Sequence, residues 1–98
     1  MGKSYKPSGY QIISIDVTDK TSGDTFAPET EDEKILFEIL KEQKRNKPVL
    51  LSVKNSTSES LGFVLLGGQK AELVYSDSTI RFSIGYDGTN YTLKYEVI

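Results

Sequence analysis

The chain has 98 residues, no cysteine, no histidine and a formal net charge of -2. That length makes one domain, 1–98, with a modest core, and 37% hydrophobic with 27% charged residues is a globular composition rather than a disordered one. The missing residue types exclude disulfides, zinc sites built from Cys and His, and Ser-His or Cys-His catalysis, while the slight acidity gives no attraction to phosphate backbones or anionic membranes.

Residues 1–9, MGKSYKPSG, show no periodicity and read as a flexible arm. They lack the apolar core of a signal peptide, and Lys6 stands where a myristoylation pattern needs Ser or Thr. No apolar run approaches the ~18–20 residues of a membrane span. The expected setting is cytoplasmic, with no membrane contact. Tyr10 to Val17 alternates Ile13, Ile15 and Val17 against Ser14 and Asp16, the period of a half-buried strand. Thr18 to Pro28 is polar and turn-rich, and it reads as a loop longer than the usual ~4–6 residues. Within it, DKTSGD at 19–24 distantly suggests a calcium loop, but Asp24 occupies the position that requires glycine and the terminal glutamate is missing. It reads as a polar turn.

Thr30 to Asn46 is the only segment with helical character. Thr30 and Glu33 fit a capping box. Acids crowd the start and bases the end (Lys41, Lys44, Arg45, Lys47), as the helix dipole favours. The basic cluster reads as this dipole complement rather than as a phosphate site. Ile35, Leu36, Ile39 and Leu40 share an arc of ~140°, Gln43 extends it, Phe37 lies outside it, and Pro48 ends the helix. Val49 to Lys54 is a second strand, and Asn55 to Ser60 a polar loop. Leu61 to Leu66 is apolar nearly throughout. Gly67 to Lys70 is a turn. Ala71–Ser76, Thr79–Tyr86 and Tyr91–Val97 then alternate with period two, which predicts antiparallel hairpins.

Two registers fit the last hairpin. A two-residue Asp87-Gly88 loop sets Arg81 opposite Lys94, an unfavourable like-charge pair. A four-residue loop, Asp87 to Asn90, sets Arg81 opposite Glu96, Tyr86 opposite Tyr91 and Phe82 opposite Tyr95, and is preferred. Across the preceding turn, Tyr75 is expected opposite Ile80 and Leu73 opposite Phe82. The expected fold class is α+β: one helix on one face of an antiparallel sheet of about five to six strands, order β-α-β-β-β-β-β, ending in a C-terminal meander.

No catalytic motif stands out. Gly67-Gly68-Gln69-Lys70 lacks the P-loop frame, and the scattered carboxylates read as turns and solvated faces. No enzyme, cofactor, metal or nucleic-acid partner is expected. Apolar residues fall on both faces of Leu61–Leu66, and Ile12, Leu50 and Phe37 are similarly out of place. A contact surface built from Phe63 and Leu65, joined by Ile12 and Phe37, is one reading. Coverage by the arm or by the Thr18–Pro28 loop is the other. If that strand is an exposed sheet edge, it is either protected or used for pairing. The expected function is a non-catalytic protein-interaction or assembly module with a protein partner or self-association. The alternative is a small-ligand domain with a pocket between helix and sheet rimmed by Tyr86, Tyr91 and Tyr95, residues that read more simply as core and core rim.

Overall fold

A computed structural model describes residues 10–42, 48–75 and 77–98, with Leu65 and Tyr75 described by backbone alone. The helix forms where the capping signal places it. Helix α1 spans Glu31–Glu42. The Glu33 N–H donates to Thr30 Oγ1 at 3.1 Å, and the Thr30 N–H donates to Glu33 Oε1 at 3.1 Å. Each side chain therefore satisfies a backbone donor that the first helical turn leaves without a partner. The same Glu33 oxygen also accepts from the Glu29 N–H at 2.8 Å, which fixes the chain entering the helix. Leu36, Ile39 and Leu40 are buried, and Ile35 and Phe37 pack partly against the core. Lys44, Arg45 and Lys47 lie outside the described residues.

Seven strands accompany α1: β1 (Gln11–Asp16), β2 (Thr25–Phe26), β3 (Val49–Lys54), β4 (Glu59–Gly67), β5 (Lys70–Tyr75), β6 (Ser78–Tyr86) and β7 (Tyr91–Val97). Neighbours run β1-β3-β4-β5-β6-β7-β2. The α+β fold with a C-terminal meander is as the sequence predicts, with two differences. First, β1 pairs with β3 in parallel. Parallel neighbours need a long crossover, and α1 lies within it. Second, β2 forms inside the segment read as a loop and pairs with β7. Strand β4 joins the two halves of the sheet. Its residues 59–64 pair with β3 and its residues 65–67 with β5.

The core lies between α1 and one face of this sheet. Ile13, Ile15, Val49, Leu51, Leu73, Ile80, Phe82 and Leu93 are all buried there. Helix α1 rests chiefly on β1 and β6, so it spans both halves. In the last hairpin, Arg81 faces Glu96, Phe82 faces Tyr95 and Tyr86 faces Tyr91, the register that the charge pair selects. The Asp87 side chain closes that loop by accepting from the N–H groups of Thr89 (2.8 Å) and Asn90 (2.7 Å). One hairpin over, the expected register is two residues out. Leu73 faces Ile80, Tyr75 faces Ser78 and Ala71 faces Phe82. A shift of two keeps every side chain on its face, so hydropathy patterning did not detect it. The turn between β4 and β5 places Gly68 at φ 59° and Gln69 at φ 63°. Both central residues are left-handed, the backbone of the two-residue hairpin turn that matches strand twist.

At each end of the sheet, edge groups are engaged by other parts of the chain. The Gln11 N–H donates to Pro48 O and the Val17 N–H to Lys54 O, so odd-numbered amides of β1 face β3 and even-numbered ones face outward. The outward Ser14 N–H is taken by Asp32 Oδ2 of α1 at 2.8 Å. At the opposite edge, the chain before α1 runs along β7. Gly23 donates to Tyr95 O at 2.7 Å, Tyr95 donates to Asp24 O at 3.0 Å, and the Val97 N–H is received by Ser22 Oγ at 2.8 Å. The 18–28 segment is thus a strap over a sheet edge, and Phe26 anchors it against the core. Within it the Asp24 carboxylate accepts from the Thr21 N–H at 2.8 Å, which makes the segment a polar turn.

Candidate functional site

The face of the sheet away from α1 carries two chemistries. On the β5-β6-β7 half it is ionic. Arg81 Nε and Nη2 each lie 2.7 Å from Glu72 Oε2, and Glu96, Lys70 and Lys94 complete the group at 3.8–3.9 Å. Such a half-exposed network is what a solvated sheet face carries.

The β1-β3-β4 half differs. The parallel register sets Ile12 beside Leu50, and the antiparallel one sets Leu50 beside Phe63. The three residues form one row across three strands. Val74 lies two residues past Glu72 on β5, beyond the last β4–β5 pair at Leu65↔Glu72, and shares the parity of Glu72. Ile12 is 58% exposed, Phe63 59% and Val74 72%, and Leu61, the next outward residue of β4, is 61% exposed. Tyr10 packs its ring edge-on to Phe63 with centroids 5.6 Å apart. Beyond the row lie Ser14, Ser52 and Leu61, then Asp16, Lys54 and Glu59, each trio in register. Ser52 is buried and its hydroxyl donates to Glu59 Oε2. The Thr18 hydroxyl and then the Thr18 N–H, both donating to Asp16 Oδ1, hold the Asp16 carboxyl below its ordinary 3.8. Asp16, Ser52 and Glu59 line a shallow concavity with Ser14, Ile15 and Lys54. The apolar row is therefore bordered by charge on two sides.

Of the residues singled out in the sequence, the structure brings Ile12 and Phe63 together. The Leu65 side chain lies outside the described residues. Phe37 does not join them. It sits on α1, on the opposite side of the sheet, partly buried with Lys41 Nζ 5.0 Å from its ring centroid. Phe63 lies on the part of β4 that pairs with β3, and the ladder to β5 begins two residues further on, at Leu65. The three tyrosines separate. Tyr95 is 7% exposed and packs on Phe82 at 5.6 Å, whereas Tyr86 and Tyr91 pair at 5.3 Å as exposed rings beside the 87–90 loop. A second concavity, between β1 and α1, is lined by Gln11, Ile35, Ile39 and four charged helix residues, and neither concavity includes a tyrosine. Among the described residues no three His, Cys, Asp or Glu side chains group to hold a metal. No described helix is long and apolar enough to cross a membrane.

Leu61 and Val74 belong to the surface and the sequence reading did not name them for it. Val74 broke the alternation of its own strand, and Leu61 shares the parity of Phe63, so the signal was present in both. Comparison with known proteins finds no matching family model, no matching curated protein and no matching solved structure. Function is therefore argued from these residues.

Proposed function

We propose that the protein is a non-catalytic interaction module whose working surface is the outer face of β1, β3 and β4. The observation that carries this reading is the row Ile12–Leu50–Phe63, flanked by Leu61, with Val74 of β5 exposed on the same face, which together leave four large apolar side chains more than half exposed. At roughly 150–200 Å² for a large apolar residue, these four expose on the order of 400 Å². That is about the size of the largest apolar patch on a typical monomer, a patch that is often functional. The charged rows at its borders suit a polar rim around an apolar centre.

The experiment is site-specific photocrosslinking in the native host. A photoreactive phenylalanine analogue at position 63 is expected to give discrete protein adducts. The same analogue at Ser83, on the ionic half of the same face, is expected to give none. Equal labelling at both positions, or none at position 63, overturns the reading.

A further inference from the structure

We infer that the partner on this face is a second copy of the chain, seated with its own Ile12–Leu50–Phe63 row directly over the first; this rests on the reading of the outer face as a contact surface. Three observations lead there.

The first is that both ends of the sheet are partly engaged by other parts of the chain. Open strand edges are the usual route by which sheet proteins pair with themselves. Here Asp32 occupies the outward Ser14 amide, and the strap at Ser22–Phe26 occupies β7. The outer face of β1, β3 and β4 offers an apolar surface for a face-to-face contact.

The second is area. A stable standard-size interface buries ~800 Å² per partner, of which roughly 55–65% is apolar. That asks for about 450–500 Å² of apolar surface from each copy. The exposed parts of Ile12, Leu61, Phe63 and Val74 supply on the order of 400 Å², and Leu50, half-buried between Ile12 and Phe63, adds to it. One copy of this face therefore matches what an identical copy needs, and two sheets can stack ~10 Å apart face to face.

The third is charge, which selects the symmetry. A two-fold axis along β3 would stack Lys54 on Lys54 and Asp16 on Glu59, like charges directly opposed, because these three residues form one cross-strand row. A two-fold axis along the apolar row instead carries the two charged rows to opposite rims, where water solvates them. It stacks Ile12 on Ile12 and Phe63 on Phe63, the self-matching of an isologous interface.

This geometry makes a test by mixing. Sedimentation equilibrium of the full chain at roughly 100–300 µM, the range in which a weak standard-size contact populates, is expected to give twice the 10.9 kDa of one chain. Ile12→Lys and Ile12→Glu are each expected to weaken association at least tenfold, because like charges meet across the axis. Mixed one to one, the two variants are expected to recover the dimer. Ile12 is 58% exposed, and circular dichroism melts check that each variant keeps the fold. The pair Phe63→Lys and Phe63→Glu provides the same test if either Ile12 variant unfolds. Wild-type protein that stays monomeric overturns the inference. So does a mixture no more associated than its components, since the row-on-row seating requires the opposite charges to meet. Adducts at position 63 to a different protein, with a monomeric wild type, leave the contact surface standing and remove only the second copy.

Discussion

Thr30 and Glu33 show how much one pair of side chains decides. Their reciprocal bonds at 3.1 Å start the helix, and Glu33 is buried in doing so. Thr30→Ala is expected to lower stability by about 1 kcal/mol, measured by denaturant titration, because an N-terminal amide loses its acceptor. An unchanged midpoint would place the helix start elsewhere. Asp87 has a comparable role in a loop. The N–H groups of Asn90 and then Thr89 hold its carboxyl below the ordinary 3.8. A depressed carboxylate stabilises the fold above its unfolded-state value and loses that contribution as pH falls through the folded-state value. Stability of the C-terminal hairpin is thus expected to fall below about pH 4. Asp87→Asn, which keeps an acceptor oxygen but does not titrate, is expected to flatten that part of the pH profile. An identical acid limb in the variant would assign the transition to other carboxylates. The capping box was legible in the sequence because it acts over four residues, and the 87–90 loop was legible through the Arg81–Glu96 pair, whereas the bonds of the Asp87 side chain were not read. Gln69 was not legible either. A left-handed glutamine costs about 1–2 kcal/mol, and only the strand pairing around it requires that conformation.

At the scale of elements, period-two alternation identified the hairpins and failed in two instructive places. Alternation assigns faces, not partners, so a register shift of two between β5 and β6 left no trace in it. In the last hairpin the register was legible, because Arg81 and Glu96 discriminate between alternatives that hydropathy leaves equal. The β2 strap was invisible because two residues carry no period, and its bonds to β7 come largely from backbone groups and Ser22. Phe82 tests the face assignment. It is fully buried, and Phe82→Ala is expected to cost roughly 3–5 kcal/mol in denaturant titration. A loss under about 1 kcal/mol would place its ring outside the core. Asp32 tests the edge at β1. Asp32→Ala leaves the outward Ser14 amide open, with a loss of about 1 kcal/mol. It is expected to speed concentration-dependent aggregation on heating, followed by light scattering. A variant that aggregates no faster than wild type would show that the edge needs no such cap.

The whole molecule places its apolar surplus through topology. Ile12, Leu50 and Phe63 are each an exception within their own strand, and the sequence marked each one. What the sequence did not carry is that β1 lies parallel to β3 and that β3 lies between β1 and β4, which turns three separate exceptions into one row. Phe37 looked equivalent by composition, yet α1 carries it to the other side of the sheet. The central claim is that the row is surface and not core, and Phe63 decides it. Phe63→Thr keeps strand propensity while removing the ring. Urea titration at a protein concentration near 1 µM, low enough to keep a weak dimer dissociated, compares it with wild type. A cooperative transition with an unchanged slope and a loss of no more than about 1 kcal/mol is expected, as for an exposed site. A loss of roughly 3–5 kcal/mol, equal to that of Phe82→Ala, would contradict the claim and make Phe63 part of a core.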